Sequence, residues 1–165
     1  MRFTVLAVLL FALPAERSGV PLGLDAYRPV PETNPLTPEK IALGRQLFFD
    51  RRLSRDRTIA CASCHEPQLA FTDGRPVAVG IEGRTGARNV PTLINRVYGK
   101  SHFLDGRAPS LERQALEPIQ NPSEMNMTLV DLLTRLDGDP DYATGFRSVF
   151  GRGPNAEGVA FAIAS

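Results

Sequence analysis

The 165-residue chain reads as a mainly α domain whose helices are joined by long loops. Three observations predict this. Apolar residues recur at helical spacing in several segments, most clearly Leu129, Leu132, Leu133 and Leu136, and such spacing builds one buried stripe. From Thr72 to Gly106 the chain is rich in Gly, Pro and Asn and lacks a sustained period, the signature of a loop. Between these regions the run Cys61-Ala62-Ser63-Cys64-His65 places its reactive side chains three and four residues apart, on one face of a helical turn.

The elements follow in order. Met1-Arg2 and the apolar run Phe3 to Leu13, followed by Pro14-Ala15, have the charged start and short core of a secretory signal over residues 1–15. The run is short for a membrane span; a buried N-terminal helix is the competing reading. A linker over 16–36 carries Pro21, Pro29, Pro31 and Pro35, and the domain proper is expected over 37–165. Thr37-Pro38-Glu39 supplies an N-cap, a proline at the first helical position and an early acid. That helix should reach Phe49, with Ile41, Leu43, Leu47 and Phe48 in its buried stripe.

A second helix carries the Cys run and is kept short by Pro67. Further helices are expected near Ser110 to Ile119, near Thr128 to Leu136 with Gly138 as its stop, and from Pro140 to Phe150. Val159, Ala160 and Ile163 read as the beginning of an amphipathic helix.

C-x-x-C-H is the spacing of covalent c-type haem attachment. Two thiols one turn apart add to the porphyrin vinyl groups, and the next residue sets an imidazole nitrogen under the iron. The fold expected is therefore a cytochrome c-like haem domain, with Cys61 and Cys64 as anchors and His65 as axial iron ligand. A thioredoxin-like motif would need a βαβ context, and a structural zinc site would need four ligands, whereas the only other His is His102 and there is no further Cys. A small disulfide in a secreted protein is the remaining alternative. Haem attachment outside the cytoplasm fits the signal and places the protein in the periplasm.

Charge narrows the partners. Nineteen Lys and Arg balance eighteen Asp and Glu, so composition supports neither nucleic-acid nor membrane-surface binding. Arg51, Arg52, Arg55 and Arg57 read as a solvated or interface cluster, one of which is suited to a haem propionate.

The motifs beyond the haem run are Leu43-Gly44-Arg45-Gln46-Leu47-Phe48-Phe49-Asp50, Gly86-Ala87-Arg88-Asn89-Val90-Pro91-Thr92, Phe103-Leu104-Asp105-Gly106-Arg107-Ala108, and then Gln114, Pro118 and Ser123-Glu124-Met125. In this order they resemble the N-terminal, peroxidatic domain of bacterial di-haem cytochrome c peroxidases and their MauG-like relatives, over about Thr37 to Leu136. The resemblance implies one haem c in this chain and reduction of hydrogen peroxide to water. Glu124 would be the acid/base group, with Gln114 shaping the same pocket, and Asn89 would sit at a calcium position between domains. It further implies a donor cytochrome c or cupredoxin, a homodimeric full-length protein, and a second C-x-x-C-H domain. No second motif is present, so the chain is expected to be an N-terminal fragment or truncated reading frame with its junction face exposed.

Two departures carry weight. Many relatives hold a histidine that caps the resting iron where this chain has Ile81, which cannot ligate iron, so the distal side is expected to be open. Many hold a tryptophan where this chain has Leu104, which cannot carry a radical. Two other functions are weighed. A mono-haem electron carrier would need a sixth ligand from Met125, Met127 or His102, whereas a MauG-like oxidase would act on a protein side chain. For His102 itself a polar loop or packing role is the favoured reading.

Overall fold

The computed structural model describes residues 28–165. The expected signal over 1–15 and most of the expected linker lie outside them. Among the described residues there are six α-helices and no strand, only isolated bridges in the loops. No described helix is long and apolar enough to cross a membrane.

Helix α1 (Pro38–Phe49) begins as its sequence dictates. The Thr37 backbone is extended and its hydroxyl accepts the Lys40 N–H at 3.2 Å, with Pro38 in the first turn. Its buried residues are Lys40, Leu43, Gly44 and Leu47, so the expected stripe is corrected: Ile41 is 43% exposed. The cause is Gly44, where a Cβ would stand 1.9 Å from the Ala162 carbonyl oxygen of α6 (Ala156–Ile163). Only a glycine lets the two backbones approach so closely, and turning Gly44 to α6 turns Ile41 to solvent. Lys40 is tolerated inside because its ammonium donates to Asn34 Oδ1 at 2.8 Å and to the Pro35 carbonyl at 2.6 Å. Asn34 in turn donates to Glu112 and to the Phe161 carbonyl, which fastens the start of the domain to two later helices.

The segment after α1 is held by polar contacts. Arg52, expected in a solvated or interface cluster, keeps a partly exposed side chain and also pairs with Asp50 at 2.7 Å and with Asp139, and its guanidinium lies 5.2 Å from the centroid of the Tyr142 ring. The Tyr142 hydroxyl donates to Asp50 at 2.7 Å. Burial pushes Asp50 up, but the hydrogen bonds from Arg52 and Tyr142 outweigh it and hold the carboxyl below its usual range. Arg51, Arg55 and Arg57 are exposed as expected. Arg135 then grips the carbonyls of Arg52 and Ser54, at 2.6 and 2.8 Å.

Helices α3 (Leu111–Gln120), α4 (Leu129–Asp137) and α5 (Pro140–Phe150) fall within a residue or two of their expected places. Ser110, Thr128 and Asp139 cap them through side-chain oxygens. Leu132 and Leu136 of α4 are buried, with Leu129 and Leu133 packed against the same core. Leu43, Leu47, Met125, Met127, Phe146 and Val159 are among the other residues of that core, so α6 is an integral wall of it.

The Gly44–Ala162 approach yields a stability prediction. Gly44→Ala should lower the free energy of unfolding by about 1–3 kcal/mol or more through overpacking against backbone, measured by urea denaturation of the haem-loaded protein. An unchanged midpoint would mean that α1 and α6 do not cross at this glycine.

Candidate haem site

Helix α2 (Cys61–Cys64) is a single turn. The Ser63 hydroxyl accepts the Ala60 N–H at 3.0 Å, and the His65 N–H closes the turn on the Cys61 carbonyl at 2.9 Å. The turn borders a cleft with an inner part of about 220 Å³ and an outer part of about 590 Å³. Cys64, His65, Arg96, Gln114, Pro118 and Glu124 line both parts, while Cys61, Phe48 and Met125 line the inner one. A mostly apolar cleft with a few convergent polar groups is what a cofactor requires.

The donor set fits a c-type haem. Cys61 and Cys64 are not joined to each other. Burial pushes the Cys61 thiol up to about 12 and raises Cys64 as well, so neither is a ready thiolate, as a thiol redox centre would need. No βαβ unit surrounds them, and among the described residues no group of three or more His, Cys, Asp or Glu side chains could hold a metal ion. His65 Nδ1 lies 3.0 Å from the Phe71 carbonyl. A carbonyl only accepts, so Nδ1 carries the proton and the Nε2 lone pair is left for iron. Burial lowers the His65 pKa and so favours the neutral ring, outweighing the Phe71 and Pro91 carbonyls and the Asp73 charge, which act the other way.

The loop that supplies this carbonyl is strained for the purpose. Ala70 and Phe71 both have positive φ, 55° and 59°, conformations that cost L-residues energy and persist where surrounding contacts impose them. The loop is closed by the Glu66 N–H on the Thr72 carbonyl and the Phe71 N–H on the Glu66 carbonyl, at 3.0 and 2.9 Å.

Opposite α2, the chain after α3 folds back onto that helix. The Met125 N–H donates to the Pro118 carbonyl at 3.2 Å and the Met127 N–H to the Ile119 carbonyl at 2.8 Å. This return brings Glu124 beside Gln114 in the lining of the cleft. Asn121 Nδ2 donates to Glu124 Oε1 at 2.8 Å. Burial raises the Glu124 pKa, and the Asn121 hydrogen bond only partly opposes it.

Ile81 is 1% exposed and lines neither part of the cleft. Its N–H donates to the Glu124 carbonyl at 2.9 Å, and at Gly80 a Cβ would stand 2.1 Å from the Ser123 carbonyl oxygen. The loop is thus pinned against the backbone of residues 123–124. Of the other ligand candidates, Met125 lines the inner cleft, His102 lines the outer one at 4% exposure, and Met127 is enclosed in the core. Asn89 is exposed at the outer cleft. Leu104 borders the same outer cleft and is 68% exposed.

Sequence reasoning overlooked Arg96, which borders both parts of the cleft. It lies in the aperiodic loop, and only its charge between Asn95 and Val97 could have drawn notice.

The model of the family described as di-haem cytochrome c peroxidase matches residues 38–165. The methylamine utilization protein MauG of Methylorubrum extorquens is 49% identical over 123 residues, 74% of this chain and 35% of that protein. The cytochrome c peroxidase Ccp of Escherichia coli is 39% identical over 141 residues, 85% of this chain and 30% of its own length. Among solved structures, a MauG-like protein associated with microbial copper homeostasis superposes with a TM-score of 0.80 at 32% identity, covering 91% of this chain and 45% of that one. The chain therefore spans roughly a third of these two relatives' length. On the fold, the cleft and these matches together, the chain belongs to the di-haem cytochrome c peroxidase family.

Proposed function

We propose that this domain reduces hydrogen peroxide to water at a haem c carried on Cys61 and Cys64 with His65 as its axial ligand. The observation that carries the reading is the sharing of one inner cleft by His65, Glu124 and Gln114, with Ile81 excluded from it. When bound, the haem supplies the electrons that break the O–O bond. The protein manages protons: each peroxide takes two electrons and two protons to become two waters. Glu124 Oε1 is occupied by Asn121, which leaves Oε2 to take a proton from one peroxide oxygen and return it to the other. Because burial raises the Glu124 pKa, its acid form persists closer to neutral pH than that of a free glutamate. The Gln114 amide orients the peroxide from α3. Electrons reach the site from a donor cytochrome c or cupredoxin through a second haem domain, in the periplasm, and the exposed Asn89 amide oxygen contributes to a calcium site completed from outside the described residues.

A second reading, a MauG-like oxidase acting on a protein side chain, draws on the 49% identical relative. Leu104 weighs against it, because an exposed aliphatic side chain cannot relay an oxidising equivalent.

Two results are expected. Haem should stay with the polypeptide through acid–acetone extraction, and be released from the Cys61→Ser/Cys64→Ser double variant; free extraction from the parent chain would remove the thioether anchors. Glu124→Gln should slow the reaction of the ferric holoprotein with hydrogen peroxide, followed by stopped flow, by about 10²–10⁴-fold at unchanged haem content. A full rate would take Glu124 out of the mechanism.

A further inference from the structure

Among the described residues three arginines line the cleft, and they are not equivalent. Arg88 pairs with Asp105 at 3.4 Å, and Arg107 pairs with Asp105 at 2.9 Å and with Glu117 at 3.0 Å. Both are exposed on the outer side. Arg96 is half-buried and forms no salt bridge among the described residues, although it alone of the three borders both the inner and the outer cleft.

Its guanidinium is nonetheless held in place. Nη2 donates to the Ser101 carbonyl at 3.3 Å and lies 3.4 Å from His102 Nδ1. Arginine has no acceptor, so the imidazole must accept there in its neutral form. Burial together with the Arg96 charge lowers the His102 pKa, which favours that form. Among the described residues only Nη2 is engaged, so the Nε and Nη1 donors of this cleft-lining guanidinium stay available. A half-buried guanidinium with donors to spare and no carboxylate partner is matched to a planar anion, which it binds in a fork.

We propose that Arg96 clamps a propionate carboxylate of the haem anchored at Cys61, Cys64 and His65. The inference rests on the haem reading above and goes beyond it by naming the residue that neutralises the macrocycle's acid edge. That role falls to the loop residue Arg96 and not to the Arg51–Arg57 cluster, of which Arg52 is engaged with Asp50 and Asp139 and none lines the cleft. A cation beside a propionate offsets its negative charge and thereby favours the ferrous over the ferric state. Loss of the cation should lower the midpoint potential.

The test compares wild-type, Arg96→Gln and Arg96→Lys holoproteins. Haem content is read by denaturing gel haem stain, the midpoint potential by spectroelectrochemistry, and the propionate environment by the propionate bending band in resonance Raman. The expected result is equal haem content in all three, a lower potential and a shifted propionate band in Arg96→Gln, and partial recovery of both in Arg96→Lys. Fully loaded Arg96→Gln with wild-type potential and band would overturn the clamp while leaving haem attachment intact. A wild-type potential that shifts on adding acetate, a shift lost in Arg96→Gln, with the Raman band the same in both proteins, would assign Arg96 to a free carboxylate from solution and equally overturn it. Wild-type protein without covalent haem would overturn both this inference and the reading beneath it.

Discussion

The return of the chain onto the end of α3 is the constraint on which the candidate site depends. Pro118 has no N–H, so the usual helical bond to the Gln114 carbonyl is not made, and the last turn ends where the Pro118 and Ile119 carbonyls accept the N–H groups of Met125 and Met127. Those backbone bonds direct the 121–127 segment along the helix instead of away from it. They seat Met125 and Met127 in the core and leave Glu124, between Asn121 and the cleft, beside Gln114. Burial of the two methionines, about 1.5–3 kcal/mol each, opposes any release of the turn. Gly80 and Ile81 close over its outer side, and a side chain at residue 80 would collide with the Ser123 carbonyl.

The same apolar surroundings tune the titratable groups in opposite senses. Desolvation raises Glu124 and lowers His65, because it disfavours whichever form is charged. A carboxyl that holds its proton longer and an imidazole that stays neutral are the states suited to proton transfer and to iron ligation. The polar contacts nearby refine this balance without reversing it: Asn121 steadies one oxygen of Glu124, and the Phe71 carbonyl fixes the His65 tautomer. Two left-handed residues, Ala70 and Phe71, are the conformational cost of that second contact.

Local chemistry was legible in the sequence and long-range chemistry was not. Thr37-Pro38-Glu39, Ser110 and Thr128 announce their helices because an N-cap acts within one turn, and the Cys61 to His65 run announces its cofactor because all its groups lie within five residues. Family resemblance singled out Glu124 and Gln114, which periodicity alone would have left as an exposed acid and a helix surface amide. The stripe of α1 was misjudged at Ile41 because its rotation is decided by contact with Ala162 at the far end of the chain. The pairing of Arg52 with Asp139 left no trace in the sequence because the two lie 87 residues apart. Arg96 and the pinning of Ile81 escaped notice for the same reason, since neither an aperiodic loop nor an isoleucine carries a local signal of what it will touch.

The proposed peroxide chemistry requires an open distal face opposite His65. Its most direct test is the electron paramagnetic resonance spectrum of the ferric holoprotein, recorded with and without cyanide. An open face should give a high-spin ferric signal that converts to low-spin as cyanide binds. A low-spin spectrum that cyanide leaves unchanged would contradict it, because a protein side chain would then already hold the position that peroxide needs.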